Sequence, residues 1–319
     1  MRAPEAGSFG HAKGGLGMSI ATRQKWQRAG NRGRLSLLIA AAIAWLLGGS
    51  TALAQGDLSG KYIVRMHQDQ PDRIPGPEIG EFLGLPLNDS ARQFALSWDP
   101  ARLTLPEQQC RSHSSPYMYR GPMSLRIWEE RDPITQDLLK TMMYISNYEQ
   151  MRTIWMDGRA HPSKNARHTW MGFSTGKWEG KVLTVRTTHI KQSWHRRNGV
   201  VQSDQATLTE RFTRQGDYLT HISIVEDPVY LTEPLIRSES FLLAPEREGQ
   251  QVWTYPCEVI VEVYRPQGSV PHFQPGENPF IEELVQRWGL SAETFSGGAA
   301  QMYPEYILKH DVRARRPAP

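Results

Sequence analysis

The chain has 319 residues and a formal net charge of +4, but that charge is unevenly divided. Seven of its 37 Lys and Arg and only one of its 33 acids, Glu5, fall within residues 1–54, so the remainder holds 30 basic and 32 acidic residues. Such a balance lacks the concentrated positive face that displaces counterions from a phosphate backbone, which excludes nucleic acid as a partner.

The N-terminal part reads as an export leader. Arg23, Lys25, Arg28, Arg32 and Arg34 precede the uncharged run Leu35 to Leu47, and Thr51-Ala52-Leu53-Ala54 gives an A-x-A-like cleavage point before Gln55. The strongly apolar part is short and ends in Gly48-Gly49-Ser50, which favours a cleaved signal peptide. An uncleaved anchor is the alternative, since Leu35 to Ala54 is just long enough to span a bilayer. In either case the basic residues stay inside and the rest is exported. The expected location is periplasmic or secreted, or inner-membrane anchored with the body in the periplasm. Membrane contact is expected only through an uncleaved leader. Met18 offers a second start within the long leader.

The exported part is expected to be mainly β: an antiparallel meander, barrel-like or sandwich-like, with one or two short packed helices and a C-terminal helix. Residues 55–275 form the β domain with an irregular N-terminal part, and residues 276–319 form a helix and tail packed on it. In chain order the strands are Lys61 to His67, Ser124 to Glu129, Leu138 to Ile145, Val182 to Thr188, Ala206 to Thr213, Tyr218 to Glu226, Ile236 to Leu243 and Val259 to Tyr264, all rich in β-branched and aromatic residues. Glu179-Gly180-Lys181 and Arg214-Gln215-Gly216-Asp217 are hairpin connections. One helix is expected from Asp89, as cap, to Trp98. A second starts at Asn278-Pro279, with Phe280, Ile281, Leu284, Val285 and Trp288 as its apolar stripe and Gly289 as its stop. Pro71 to Leu87 and Pro266 to Pro279 read as surface loops, and Asn198-Gly199 as an exposed turn presenting the basic cluster around Arg196 and Arg197.

Cys110 and Cys257 are the two cysteines. An oxidising compartment permits them to pair, and a free buried pair is the alternative. No Cys/His zinc spacing is present, and neither a metal nor another cofactor is expected.

Two constellations carry chemistry. With Gln215-Gly216 as a two-residue loop, Glu210 sits opposite His221 on one face with Leu208, Phe212, Leu219, Ser223 and Val225. Charged groups among apolar ones on a concave strand face suit a barrel with a ligand cavity, with Glu210, Arg211 and His221 as polar contacts. A carboxylate beside an imidazole is also the arrangement of a general acid/base couple; an ordinary cross-strand charge pair is the plainer reading.

The second is Trp155 to Val185, dense in tryptophan, histidine, arginine and glycine and read as a loop followed by a hairpin. Asp157, His161 and His168 are conceivable metal ligands, but their spacing matches no established site. A binding rim built from Trp155, Asp157, Arg159, His161, His168, Trp170 and Trp178 is the functional reading, with Arg159 on an anionic group and the indoles over an aromatic or apolar ligand. The alternative is a tight Asp157-Gly158 turn pairing with Arg159 beside core tryptophans. Three marks, W-M-D-G-R-x-H-P at Trp155 to Pro162, G-x-W-E-G at Gly176 to Gly180 and E-D-P-x-Y at Glu226 to Tyr230, make this chain resemble a family of exported bacterial proteins of unassigned activity, from about Cys110 to about Tyr306. The resemblance implies export and no reaction. The expected function is binding of a small apolar or aromatic molecule. A cofactor-independent hydrolase, lyase or isomerase using Glu210 and His221 is one alternative, and an envelope interaction protein is the other.

Overall fold

The computed structural model describes residues 56–65, 78–82, 84–120, 124–244, 256–259 and 263–309. The leader lies outside the described residues. The strands are β1 Gly60–Val64, β2 Ser124–Arg131, β3 Leu138–Ile145, β4 Gln150–Trp155, β5 Phe173–Glu179, β6 Val182–Thr188, β7 Ser193–Arg196, β8 Val200–Gln202, β9 Thr207–Gln215, β10 Tyr218–Glu226 and β11 Leu235–Leu243. Nine of them close a barrel in the order β1-β11-β10-β9-β6-β5-β4-β3-β2, and β7 and β8 pair separately. All barrel neighbours are antiparallel except β4 and β5. The expected mainly β fold is therefore present, as a closed barrel.

Period-two patterning explains the walls. Along β9, Leu208, Glu210 and Phe212 are buried while Arg211 is exposed, and along β10 Leu219, His221, Ser223 and Val225 are buried. The lumen is packed. Tyr62, Leu125, Ile127, Met143, Ile154, Leu183, Val185, Phe212 and Phe241 fill it, together with a buried 3-10 turn, Met118–Arg120. Tyr119 on that turn packs against Phe212, His221 and Phe241.

A second core lies under helix α1, Asp89–Leu96, where Ala91 and Ala95 meet Phe82, Leu85, Val200, Leu208 and Val225. Its cap is Asn88, one residue before the expected Asp89, because the Asn88 Oδ1 accepts the Ala91 N–H at 3.0 Å. Phe82, Leu85 and Leu87 are buried by this contact rather than lying on the surface. Asn198 and Gly199 are buried too, because Asn198 Nδ2 donates to the Glu78 and Glu81 carbonyls and Gly199 lies against Trp98. Helix α2, Phe280–Trp288, docks through Leu284 and Ile281, while Trp288 is 60% exposed and leaves the expected stripe. Short helices α3, Ala292–Ser296, and α4, Pro304–Lys309, follow.

Two further expectations change. Val259, Val263 and Tyr264 lie outside any strand and are exposed, and residues 260–262 lie outside the described residues. The β9–β10 turn is Gly216-Asp217, with Gly216 at φ 59°, so Gln215 pairs with Tyr218. Glu210 then faces Ser223, and His221 faces Phe212. The slip is even, so every side chain keeps its expected face.

Cys110 and Cys257 form a disulfide with Cα atoms 5.3 Å apart across 147 residues of sequence. Closing so long a loop stabilises the fold by about 4 to 5 kcal/mol in the chain-entropy treatment. Urea unfolding with and without reductant should show a loss of that order, and a midpoint that does not move would show that the bond adds nothing to stability.

Candidate functional site

A network of charged side chains lies inside the barrel. Arg152, from β4, is fully buried and donates to both carboxylate oxygens of Glu210, from β9. Its remaining N–H groups reach the Tyr119 hydroxyl at 3.0 Å, Ser174 Oγ at 3.2 Å and Thr187 Oγ1 at 2.8 Å. His221 lies between two acids, its Nε2 3.0 Å from Glu210 Oε1 and its Nδ1 2.8 Å from Glu239 Oε2 on β11. Glu239 in turn meets Arg120 at 3.3 Å. Burial alone would push the imidazole down, but hydrogen bonds and charge from Glu210 and Glu239 outweigh it and hold His221 above its ordinary value. Burial would raise Glu210, and Arg152 reverses that and holds it below the usual carboxylate range. A carboxylate stands at each ring nitrogen, and the imidazolium, which donates at both, is the form that this raised proton affinity favours.

Glu210 and His221 therefore meet as expected, though diagonally across the hairpin and deep in the core. Arg211 points the other way and sits exposed on the outer wall. An interior ligand cavity using Glu210, Arg211 and His221 is not what these side chains build, because Tyr119 and Phe212 pack directly on His221. Arg152, Glu239, Arg120 and Tyr119 escaped the sequence reading. The alternation Gln150-Arg152-Ile154 against Met151-Thr153-Trp155 was the available signal for Arg152, and its charge argues against an inward place until Glu210 is seen beside it.

The open concavity lies at the seam between β4 and β5. These strands share only two register pairs, Ile154↔Ser174 and Trp155↔Thr175. Beyond them Met156 N still donates to Leu139 O at 2.8 Å, and then Gly158, at φ 75°, turns the chain out of the sheet. β5 runs on to Glu179, whereas β3 ends at Leu138, level with Asp157. Between Asp137–Leu139 and Gly176–Glu179 a groove of about 800 Å³ opens, lined also by Met156, Asp157, Arg159, Thr184 and Arg186. A side chain at Gly176 would strike Met156 and Ile154, so glycine is what lets the strands cross closely here.

The rim residues divide. Asp157 holds Arg159 through two contacts of 2.9 Å and one of 2.5 Å, and the Arg159 guanidinium lies 3.4 Å from the centre of the Trp155 ring. Trp178 packs partly into the barrel core. These four are at the groove or its edge. His161 instead sits on the outer face of the hairpin, bonded to Thr188 at 2.8 Å and Thr175 at 2.9 Å, and burial followed by the charge of Arg186 lowers its affinity for a proton. His168 faces the Ile190 carbonyl, and Trp170 lies under Arg111 and Lys191. Asp157, His161 and His168 do not converge.

Asp227 gives the third sequence mark a structural role. Its carboxylate accepts from Ser203 N and Oγ, both at 2.7 Å, and from Val229 N at 3.1 Å, tying the end of β10 to the segment before β9. No model of a known protein family, no curated protein and no solved structure matches the chain.

Replacing Arg152 with Met strands a buried carboxylate and should destabilise the fold by about 3 to 5 kcal/mol in urea unfolding. Because the folded value of His221 is raised above 6.5, its stabilisation is complete below that pH and is lost as pH rises through the raised value. The stability gap between wild type and His221→Gln should thus stay level from about pH 5 to 6.5 and shrink above it. A gap that widens with pH would refute the imidazolium assignment.

Proposed function

We propose that the chain is an exported barrel protein that binds a small apolar or aromatic molecule in the groove between β3 and β5. The observation that carries this reading is the groove itself, whose volume of about 800 Å³ falls in the range of small-molecule sites. It combines the apolar surface of Leu138, Leu139, Met156 and Trp178 with a few charged and hydroxyl groups, the mixture that gives affinity and orientation together. Export is supported by the leader pattern and by the Cys110–Cys257 bond, since disulfides persist in oxidising compartments. Among the described residues no helix is long and apolar enough to cross a membrane.

Acid/base catalysis by Glu210 and His221 is the weaker reading. Each is at most 1% exposed, and both ring nitrogens of His221 are already engaged by carboxylates.

The test uses 8-anilinonaphthalene-1-sulfonate, an aromatic anion, with the chain isolated from a bacterial envelope. Binding of one equivalent is expected, weakened about tenfold by Lys177→Glu in the groove and unchanged by Arg126→Glu, exposed on β2 away from it. Equal binding by all three proteins, or none by wild type, would remove the groove as the site.

A further inference from the structure

The groove has the shape of a missing strand. β4 stops at Trp155 and its last backbone bond is from Met156 to Leu139, whereas β5 continues through Glu179. Neighbouring strands lie about 4.8 Å apart, and an extended chain at that spacing from the end of β5 would take the place that β4 leaves.

The backbone of β5 is poised for such a chain. Gly180-Lys181 is a two-residue turn, which makes Glu179 and Val182 a mutually hydrogen-bonded pair. Alternation then gives Lys177 and Thr184 the same pairing and directs the Trp178 N–H and C=O away from β6, into the groove. Among the described residues no backbone group outside the β5–β6 ladder bonds Trp178. An edge of this kind is a template for strand addition. The Trp178 indole Nε1 is also buried without a hydrogen-bond acceptor.

Charge sets the polarity of the occupant. Asp157 and Arg159 neutralise each other. Lys177 and Arg186, pointing outward from β5 and β6, have no acidic partner among the described residues. Asp137 and Glu179 mark the far end of the groove, beside the two turns. We propose that the groove takes a short extended peptide running antiparallel to β5, with its free amine between Asp137 and Glu179, an apolar side chain inward opposite Trp178 and an acidic side chain outward at Lys177 and Arg186. This rests on the binding reading above, and identifies its apolar or aromatic group as a peptide side chain. The inward residue would both donate to and accept from the Trp178 backbone, completing the ladder that β4 abandons.

The probe is Ser-Leu-Glu amide, titrated into the 15N-labelled chain, beside the same peptide methylated at the leucine nitrogen. Saturable binding is expected, with the Trp178 amide slowed at least tenfold in hydrogen exchange. N-methylation and Lys177→Glu should each weaken binding about tenfold or more. Equal binding of the methylated peptide, or no added protection at Trp178, would overturn strand addition. If the anilinonaphthalene probe binds in a Lys177-dependent manner while the peptide does not, the peptide proposal falls and the small-molecule groove stands. If neither binds, both fall.

Discussion

A guanidinium buried in a barrel lumen is tolerable only where every one of its donors finds an acceptor, and Arg152 is the group on which this interior depends. Its partners come from separate strands: Ser174 from β5, Thr187 from β6 and Glu210 from β9. Through Glu210 the network passes to His221 on β10, Glu239 on β11 and Arg120 on the internal turn. Six strands are thereby fixed in register by charge as well as by backbone pairing. A network of this kind is weak as a source of net stability compared with apolar packing, but removal of any one member leaves its neighbour buried and uncompensated. The centre of the barrel is consequently committed to satisfying itself, and the open concavity is left to the wall.

The wall opens where antiparallel order is interrupted. A parallel neighbour cannot be reached by a tight turn, so the chain between β4 and β5 must return along the outside of the barrel. His161 and His189 record that return path, bonding across to Thr175, Thr188 and the Ser163 carbonyl. The stagger between the two parallel strands leaves the seam short of backbone partners on one side. The groove is thus a by-product of topology, shaped by Gly176 and Gly158 where a side chain or an ordinary backbone angle would not fit.

Much of the fold was legible because the period of two survives errors of register. The β9–β10 turn is displaced by one residue from its expected position, yet Glu210 and His221 still share a face, since an even slip preserves the pleat. The meeting of Cys110 and Cys257 remained open in sequence because pairing depends on three-dimensional proximity. Arg152 and Glu239 were hidden for a different reason: a charge on an alternating strand argues for the solvent face until its partner is known. Val259, Val263 and Tyr264 show the opposite case, β-prone residues that lie exposed outside any strand. Asn198-Gly199 has the composition of an exposed turn, and the Glu78 to Glu81 segment and Trp98 bury it. The groove could not be read at all, because it arises from where two strands stop relative to each other.

The barrel is closed by its first and last strands, Tyr62 pairing with Leu243 on one side and Leu125 on the other. In a chain that emerges N-terminus first, β1 waits with an open edge until β11 follows, and Cys110 waits across the 147 residues that separate it from Cys257. With two cysteines in all, the chain has no wrong internal disulfide to form. The hazard during that interval is between molecules, a second chain capturing the waiting thiol or the unpaired strand. For a chain that folds as it emerges, crowding rather than disulfide reshuffling is therefore the condition that limits the yield of oxidised monomer.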